Sequence, residues 1–401
     1  MKVNDIAYFC GYFSTAKSDF GKVLAADSFW TPCEHGQDKI EEWKGYYFPE
    51  FVDLCANKVK TYTHSYNQEI QATMRDGSVM KAVLTDLNVY LYPFGIVMYS
   101  IGLRQDDVLL ADTFPLLLSL RMAVSVTGDS DFEKFAVAPL SKLCKAAGAS
   151  RLMESGNKFK IFRIVAADTD PVGAKEADEL LFSAGTMTMY DENDSRSFTR
   201  SYFDQVMSKG RLSVFKNWSA LSLLDTFTIL AFRPNPYAAR FWETDYFGKI
   251  YLYSLFRKFF LFRLNNSVRT EPARVSHLKD ELEAFNGEYS FPMLSYNFLP
   301  ELIVNAMETG LDIEDEKEKI GQIVTHEKER KEAETSERMN LFLGAISVLT
   351  LFSAIWDFAC LMDGMFVFGD TIGTVTGFRA CTMLIIGLIC LIVLLTKRFK
   401  R

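Results

Sequence analysis

The stretch LFLGAISVLTLFSAIWDFACL, from Leu341 to Leu361, decides the fold class of this chain. Its 21 residues include one charged side chain, that of Asp357. A helix rises about 1.5 Å per residue, so a segment of this length crosses the roughly 30 Å hydrocarbon core of a bilayer. The stretch therefore predicts a first transmembrane helix over residues 341–361.

A second apolar run, ACTMLIIGLICLIVLL, occupies Ala380–Leu395. It reaches spanning length when it is extended back to Gly377, because the long side chain of Arg379 can reach the lipid headgroups. We expect a second transmembrane helix over residues 377–396, joined to the first by a loop over residues 362–376. The two helices would form a C-terminal transmembrane hairpin.

Lys and Arg flank both predicted transmembrane helices and are absent from the loop between them. The flanking residues are Lys328, Arg330, Lys331 and Arg338 before the first helix, and Lys397, Arg398, Lys400 and Arg401 in the tail, residues 397–401. Positively charged flanks stay on the cytoplasmic side of a membrane. We therefore expect a multi-pass protein of the cell inner (plasma) membrane with both termini in the cytoplasm.

One face of the first predicted transmembrane helix is polar. Steps of three and four residues follow one helix face, and here they give the polar line: Asn340, Leu343, Ser347, Thr350, Ala354 and Asp357. Small and hydroxyl residues on one face are typical of helix–helix contacts in membranes. The same residues suit a water-filled pore in a ring of identical subunits, since a single hairpin cannot enclose a pore. Because a carboxylate is costly against lipid, Asp357 favours the pore.

The segment IEDEKEKIGQIVTHEKERKEAETSERMN, residues 313–340, carries dense charge of both signs and no proline. It predicts a stalk helix that continues without a break into the first transmembrane helix. Its apolar residues Ile313, Ile320 and Ile323 or Val324 form a short seam. The charged remainder fits a solvated helix held by i,i+4 pairs, and it also fits a cytoplasmic funnel whose charged rings set ion access.

The predicted outer loop, within LMDGMFVFGDTIGTVTG, contains the dipeptide Gly364-Met365 together with the acids Asp363 and Asp370. A cytoplasmic α/β region, a long helix entering a first span, an outer loop with Gly-Met, a second span and a basic tail resemble the CorA family of metal-ion channels. In that family the loop opens with Gly-Met-Asn, whereas Phe366 stands here in place of Asn.

The resemblance covers roughly residues 246–401 and rests more on this order of segments than on the dipeptide. It implies a homo-oligomeric channel-like assembly, which we expect to be a tetramer or pentamer in a lipid bilayer. The Asn that is missing here helps to hold the hydrated ion in family members. Its absence implies that the fold is kept without Mg²⁺ selectivity.

Residues 1–195 predict a cytoplasmic α/β domain. Gly77–Arg104 has the pattern of two strands with a turn at Tyr92-Pro93-Phe94-Gly95. Lys158–Ala167 alternates basic and apolar residues, as a half-buried strand does. The polar stretch Asp191–Ser197 predicts a loop and a domain boundary.

Residues 196–312 form the next predicted region, a stalk and ligand-binding region that is basic and aromatic. From Arg196 to Arg274 there are thirteen Lys or Arg, five Asp or Glu and eighteen aromatic residues. Cations that contact phosphate and rings that stack on bases are typical of sites for nucleotides or single-stranded nucleic acid. The candidate residues surround a Gly turn: Arg200, Lys209, Arg211, Phe215, Lys216 and Trp218.

The alternative for this window is a packed core. Its aromatic residues would then be buried, and its Lys and Arg would form the solvated face of a helix or would counter acidic side chains. Residue counts alone do not separate the two interpretations.

The sequence carries none of the familiar enzyme signatures: no CxxC pair, HExxH, P-loop, GxGxxG or GxSxG is present. Its seven cysteines are scattered, which is typical of a reduced, cytosolic chain. Of the metal-capable residues, Cys33 and His35 are close in sequence without visible partners. We expect no catalytic residue, no metal site and no cofactor.

In plan, the chain resembles anti-phage membrane effectors of the Hailong protein A type and the CorA-like partners of CRISPR signalling systems. This resemblance implies an ion channel gated by a nucleotide or single-stranded oligonucleotide, such as DNA, bound to its cytoplasmic domain. A nucleotidyltransferase that synthesises the signal is a further implied partner. Two alternatives stay open: a CorA-type Mg²⁺ transporter, and a membrane-anchored binding protein without a pore.

Overall fold

The computed structural model describes residues 1–73, 78–122, 130–154, 156, 158–171, 173–270, 275–366 and 387. The chain forms two compact units, Met1–Val324 and Thr325–Arg401.

The first unit contains a nine-stranded sheet with the strand order β2-β3-β4-β5-β1-β6-β9-β8-β7. The strands are β1 (Lys2–Ser14), β2 (Thr31–Cys33), β3 (Lys60–Thr73), β4 (Val79–Tyr92), β5 (Ile96–Leu109), β6 (Lys160–Ala167), β7 (Arg211–Leu212), β8 (Trp218–Ser222) and β9 (Thr226–Phe232). Strands β6 and β9 pair in parallel, and the other neighbours pair antiparallel.

Helices cover both faces of this sheet and form two hydrophobic cores. The helices are α1 (Phe20–Ala26), α2 (Gln37–Lys44), α3 (Pro49–Asp53), α4 (Leu110–Arg121), α5 (Ala138–Ala147), α6 (Ala174–Thr186), α7 (Arg200–Gly210), α8 (Pro236–Phe241), α9 (Leu252–Thr270), α10 (Val275–Tyr289), α11 (Phe298–Leu311) and α12 (Ile313–Phe366). One core contains residues of α4, α5 and α6, and the other contains residues of α9, α10 and α11. This mixed α/β architecture confirms the predicted class of the N-terminal region.

The turn between β4 and β5 lies where the sequence predicts it, at Pro93–Gly95. Phe94 and Gly95 both have positive φ angles, of 59° and 69°. A Cβ atom at Gly95 would lie 2.3 Å from the backbone oxygen of Thr15, so this position requires glycine. Phe94 stays in place because its ring packs on Phe260 and Phe285 at centroid distances of 5.1 and 5.8 Å.

Strand β6 is central and not half-buried. It lies between β1 and β9, and both of its basic side chains are buried. Arg163 forms an ion pair with Asp5 (2.6 Å), and Lys160 forms one with Asp225 (2.7 Å). The alternation of basic and apolar residues indicated a solvent face, but these two ion pairs let the basic residues lie inside the protein.

The sheet extends across the predicted boundary at residue 195. Strands β8 and β9 belong to the same sheet as β1 and β6, and the first compact unit continues to Val324. The polar stretch Asp191–Ser197 is a surface segment within that unit. The backbone amides of Asn193 and Arg196 donate to the side chains of Asp191 and Asp194, which explains its turn-rich composition.

The predicted seam at the start of α12 belongs to the first unit and contributes to its core. Ile313, Ile320 and Val324 are buried, whereas Ile323 is 42% exposed. The seam therefore uses Val324 and not Ile323 at its last position.

The second unit contains the remainder of α12. Of the helices in the described ranges, α12 alone is long and apolar enough to cross a membrane, by length and composition. Its large apolar side chains are exposed: the exposed fractions of Phe342, Leu349 and Phe358 are 66%, 68% and 63%. The stalk and the first predicted span are one helix, as the absence of proline indicates.

Helix α12 continues to Phe366, five residues past the predicted end of the first span at Leu361. Asp363, Gly364 and Met365, assigned to the outer loop, are therefore helical in their backbone. No proline stops the helix there. Asp370 and the second predicted span, residues 377–396, lie outside the described residues except for Gly387.

Candidate functional site

The six ligand-binding candidates from the sequence are spread over α7, β7, β8 and the loop between these strands. Arg200 and Lys209 lie near opposite ends of α7, which separates them by about 14 Å along the helix. Arg200 pairs with Asp204 at 3.0 Å, and Arg211 pairs with Asp178 at 3.0 Å. Two of the four predicted phosphate ligands thus already have carboxylate partners.

The aromatic candidates form a small separate cluster. Phe215 is half-exposed and stacks on the buried ring of Trp218 with a centroid distance of 5.7 Å. Lys216 is exposed in the same loop. The structure therefore brings Phe215 and Trp218 together.

The surroundings of Lys209 are acidic. A groove of about 300 Å³ beside it is lined by Glu308, Asp312, Glu314 and Asp315. Carboxylates at these positions oppose the approach of a phosphate.

Three cations of the basic window lie inside the protein: Lys249, Arg257 and Lys258. Arg257 and Lys258 of α9 are buried; Arg257 pairs with Glu308 and Glu314, and Lys258 pairs with Glu316. These acids lie on α11 and on the first turn of α12. The aromatic residues of α9, such as Phe256, are buried in the core. For α9, the packed-core interpretation of the window fits these contacts better than a ligand site does.

A larger cavity lies elsewhere in the first unit. We call it the aromatic pocket; its volume is about 470 Å³, and α2, β4, α8 and the π-helical segment Trp242–Tyr251 contribute to its wall. Its floor consists of the buried residues Trp43, Tyr90, Tyr92, Asp245 and Lys249. Its rim includes the exposed residues Lys39, Tyr46, Tyr237 and Arg240.

Local sequence explains how each element presents these side chains. Lys39 and Trp43 are four residues apart on α2 and so lie on one helix face. Tyr90 and Tyr92 are two apart on β4 and point to the same side of the sheet. Helix α8 begins with Pro236 after the N-cap Asn235, a typical helix start.

The polar centre of the floor is the ion pair between Lys249 and Asp245. The Lys249 Nζ lies 4.4 Å from the ring centroid of Trp43 and 5.7 Å from that of Tyr47. The Tyr47 hydroxyl donates to Asp245 Oδ1 at 3.3 Å, and the Thr244 hydroxyl donates to Asp245 Oδ2 at 2.8 Å. A carboxylate and two aromatic rings therefore surround the Lys249 ammonium group.

Two further groups of the pocket are neutral at physiological pH. Burial, together with the cations Lys39 and Lys249, lowers the pKa of His35 below its usual value. Burial raises the pKa of the Cys55 thiol to about 12. The charges in the pocket are therefore the cations Lys39, Arg240 and Lys249 and the acids Glu42 and Asp245.

This arrangement can bind a planar anion. The volume lies in the range of small-molecule sites, and the wall combines aromatic rings with an excess of cations. Within the described residues, no group of three or more His, Cys, Asp or Glu side chains is placed to hold a metal ion.

The sequence alone does not indicate the pocket, because its parts are far apart in the chain. The stretch QDKIEEWKGYYF, residues 37–48, combines Lys39 and Trp43 at helical spacing with a run of aromatic residues. Arg240 and Lys249 lie in the basic window but are not among its six ligand-binding candidates. The combination of cations and aromatic residues within 37–48 is the signal that could have located the pocket.

The polar line of α12 is exposed, but its hydroxyl groups already have partners. The Ser347 Oγ donates to the backbone oxygen of Leu343 at 2.8 Å, and the Thr350 Oγ1 donates to that of Ile346 at 3.1 Å. Asn340, Ala354 and Asp357 lie on the same helix and are exposed. The described helix therefore presents one carboxylate and two internally bonded hydroxyl groups along this line.

Comparison with known proteins adds no family assignment. No protein-family model matches the chain, and no curated protein matches it.

Proposed function

We propose that the chain is a membrane effector of bacterial anti-phage defence: a homo-oligomeric, CorA-like ion channel that a nucleotide or single-stranded oligonucleotide gates. The observation that carries this proposal is the exposed apolar part of α12, which includes the polar line ending at Asp357. Under this proposal, residues 341–361 and 377–396 span the inner membrane, and both termini are cytoplasmic.

The exposure of α12 supports insertion into lipid. Apolar surface in water costs about 25 cal/mol per Å², and Phe342, Leu349 and Phe358 are all mostly exposed. A helix that is apolar around most of its circumference is stable in a bilayer or against other apolar helices. Lipid would cover one side of the helix, and further subunits would cover the other.

The polar line supports a pore at the centre of the assembly. In a ring of subunits, Ser347, Thr350 and Asp357 from each copy would face one another around the symmetry axis. A ring of carboxylates selects cations over anions. Asp363 and Asp370 would add negative charge at the outer mouth.

The base of α12 offers a route from ligand to pore. Arg257 and Lys258 of α9 hold Glu314 and Glu316 in the first turn of α12. A ligand that moves α9 would displace this turn, and a continuous helix would transmit the displacement toward the membrane. The ion pairs would act as the connection between sensing and gating.

One observation favours the second candidate, a membrane-anchored binding protein without a pore. Ser347 and Thr350 donate to backbone oxygens of their own helix, so their hydroxyl groups do not need water. Under this candidate the polar line would be a helix–helix contact. For a Mg²⁺ transporter, Gly364-Met365 is the supporting feature and Phe366 the opposing one.

Ion flux separates these candidates. The full chain would be reconstituted into liposomes carrying a KCl gradient and a voltage-sensitive dye, with insertion checked by flotation. We expect flux from the wild type and altered flux from Asp357→Asn, whereas Leu349→Val, off the polar line, serves as the matched control. Inserted wild-type protein that gives no flux both with and without added ATP would contradict the channel and favour the anchor. Growth of a Mg²⁺-transport mutant on expression of the chain would favour the transporter.

A further inference from the structure

We propose that the aromatic pocket is the nucleotide-binding site, with the base on its floor and the phosphates at its rim. This inference rests on the proposed function, because it assigns the gating ligand to a definite site. It moves the site from the residues around Gly210, which the sequence favoured, to a cavity built by α2, β4, α8 and the π-helical segment.

The floor fits a planar, weakly polar ring system. Trp43, Tyr90 and Tyr92 are each at most 9% exposed as whole residues, yet they line the cavity. Aromatic rings bind bases by stacking, and one face of Tyr92 already stacks on Phe256. The cavity volume of about 470 Å³ accommodates a mononucleotide.

Two polar groups lie on the floor, where the edge of a bound base would contact them. Asp245 and Lys249 are both buried there, and they supply an acceptor and a donor within one ion pair. Both groups already have protein partners, since the Tyr47 and Thr244 hydroxyls donate to Asp245, and a base would add to these hydrogen bonds.

The rim supplies charge for phosphate. Lys39 of α2 and Arg240 of α8 are both exposed and both line the cavity, and they are the two cations that we assign to the phosphates. Arg binds phosphate with a planar fork of donors, whereas Lys acts as a point charge. Glu42 is the opposing rim acid. By contrast, four acids line one of the two grooves beside Lys209.

The pocket is also directly linked to the base of α12. Asp245 and Lys249 lie in the π-helical segment Trp242–Tyr251, which continues into α9 at Leu252. π-Helical turns are rare and occur frequently at functional sites. A ligand on the floor would therefore contact the same helical run that carries Arg257 and Lys258.

Binding of trinitrophenyl-ATP to the full chain in detergent tests this assignment. The readouts are its fluorescence increase and competition by ATP, adenosine and inorganic triphosphate. We expect ATP to compete better than adenosine. We expect the double variant Lys39→Glu with Arg240→Glu to weaken binding by at least about tenfold, since it removes two cations and places two anions near the phosphates. The matched control is Lys22→Glu with Lys142→Glu, which reverses two exposed cations elsewhere.

Two outcomes would overturn the inference. One is a wild-type chain that binds no nucleotide. The other is loss of binding in Lys209→Glu with Arg211→Glu while the rim variant still binds. Flux in the liposome assay without added nucleotide would show that the pore survives such a failure, so the two proposals fail separately.

Discussion

Arg257 of α9 donates to Glu314 in the first turn of α12 across 2.7 Å, although the Arg257 side chain is only 5% exposed. The same guanidinium also pairs with the mostly buried Glu308. Burial raises the pKa of Glu308, and Arg257 opposes that rise. One buried cation thus holds α9, α11 and the beginning of α12 together.

Removing this cation should destabilise the first unit. We expect Arg257→Met to lower the free energy of unfolding by about 3–5 kcal/mol, because Glu308 would remain buried without a partner. Denaturant unfolding of the full chain measures the loss. The double variant Arg257→Met with Glu308→Gln should recover part of it. Equal losses in the single and double variants would contradict a direct interaction.

The ion pair between Arg163 and Asp5, at the centre of the sheet, leads to a second prediction. Arg163 of β6 contacts Asp5 of β1 through two nitrogens, and both side chains are 1% exposed. Arg163→Met should cost about 3–5 kcal/mol of stability. Arg233→Met is the control: its partner Asp170 is on the surface, and such pairs contribute about 0–1 kcal/mol. Similar losses in both variants would argue against a buried β6.

The seam of α12 provides a matched pair of variants three residues apart. Ile320 is 2% exposed, and Ile323 is 42% exposed. We expect Ile320→Ala to reduce the free energy of unfolding by about 2–5 kcal/mol, the usual cost of truncating a buried aliphatic side chain. Ile323→Ala should cost less than about 1 kcal/mol. The reverse order would mean that α12 packs through the other residue.

Two buried carboxyl groups predict the pH dependence of stability. Burial raises the pKa of Glu243, as does the nearby Asp86, while a hydrogen bond from the Tyr8 hydroxyl lowers it. Burial also raises the pKa of Asp86. The folded state therefore holds protons that the unfolded state releases. The stability from these groups is present below their unfolded pKa values and is lost as pH rises through the folded ones.

Glu243→Gln should reduce the loss of folding stability as pH rises. The variant keeps an acceptor for the Tyr8 hydroxyl but cannot ionise, so its stability relative to wild type should increase from pH 4.5 to pH 8. Denaturant midpoints across that range measure the difference. The exposed substitution Glu50→Gln should leave the wild-type pH profile unchanged. A parallel profile for Glu243→Gln would mean that this carboxyl group does not titrate on unfolding.

Several parts of the fold could be predicted because they depend on local pattern. An uninterrupted apolar and charged run without proline specifies α12, and Pro93 with Gly95 specifies the turn between β4 and β5. These features need no knowledge of distant residues. The polar line is likewise a matter of spacing along one helix.

Other parts depend on contacts between distant residues. Lys160 and Arg163 have the pattern of a solvent face, and only their partners Asp225 and Asp5 make burial possible. The aromatic pocket joins Trp43 to Lys249, which are more than two hundred residues apart in the sequence. A count of basic and aromatic residues locates part of its wall but not the cavity. The sequence pattern does not show which charged residues pair across the fold.

Single-channel recording in planar bilayers tests most directly whether a nucleotide gates a pore. The full chain would be recorded before and after ATP is added to the side that carries the N-terminal unit. We predict a conductance whose open probability changes reversibly with ATP in the wild type and does not respond in Lys39→Glu with Arg240→Glu. No conductance from inserted protein, or an identical ATP response in both proteins, would contradict this mechanism.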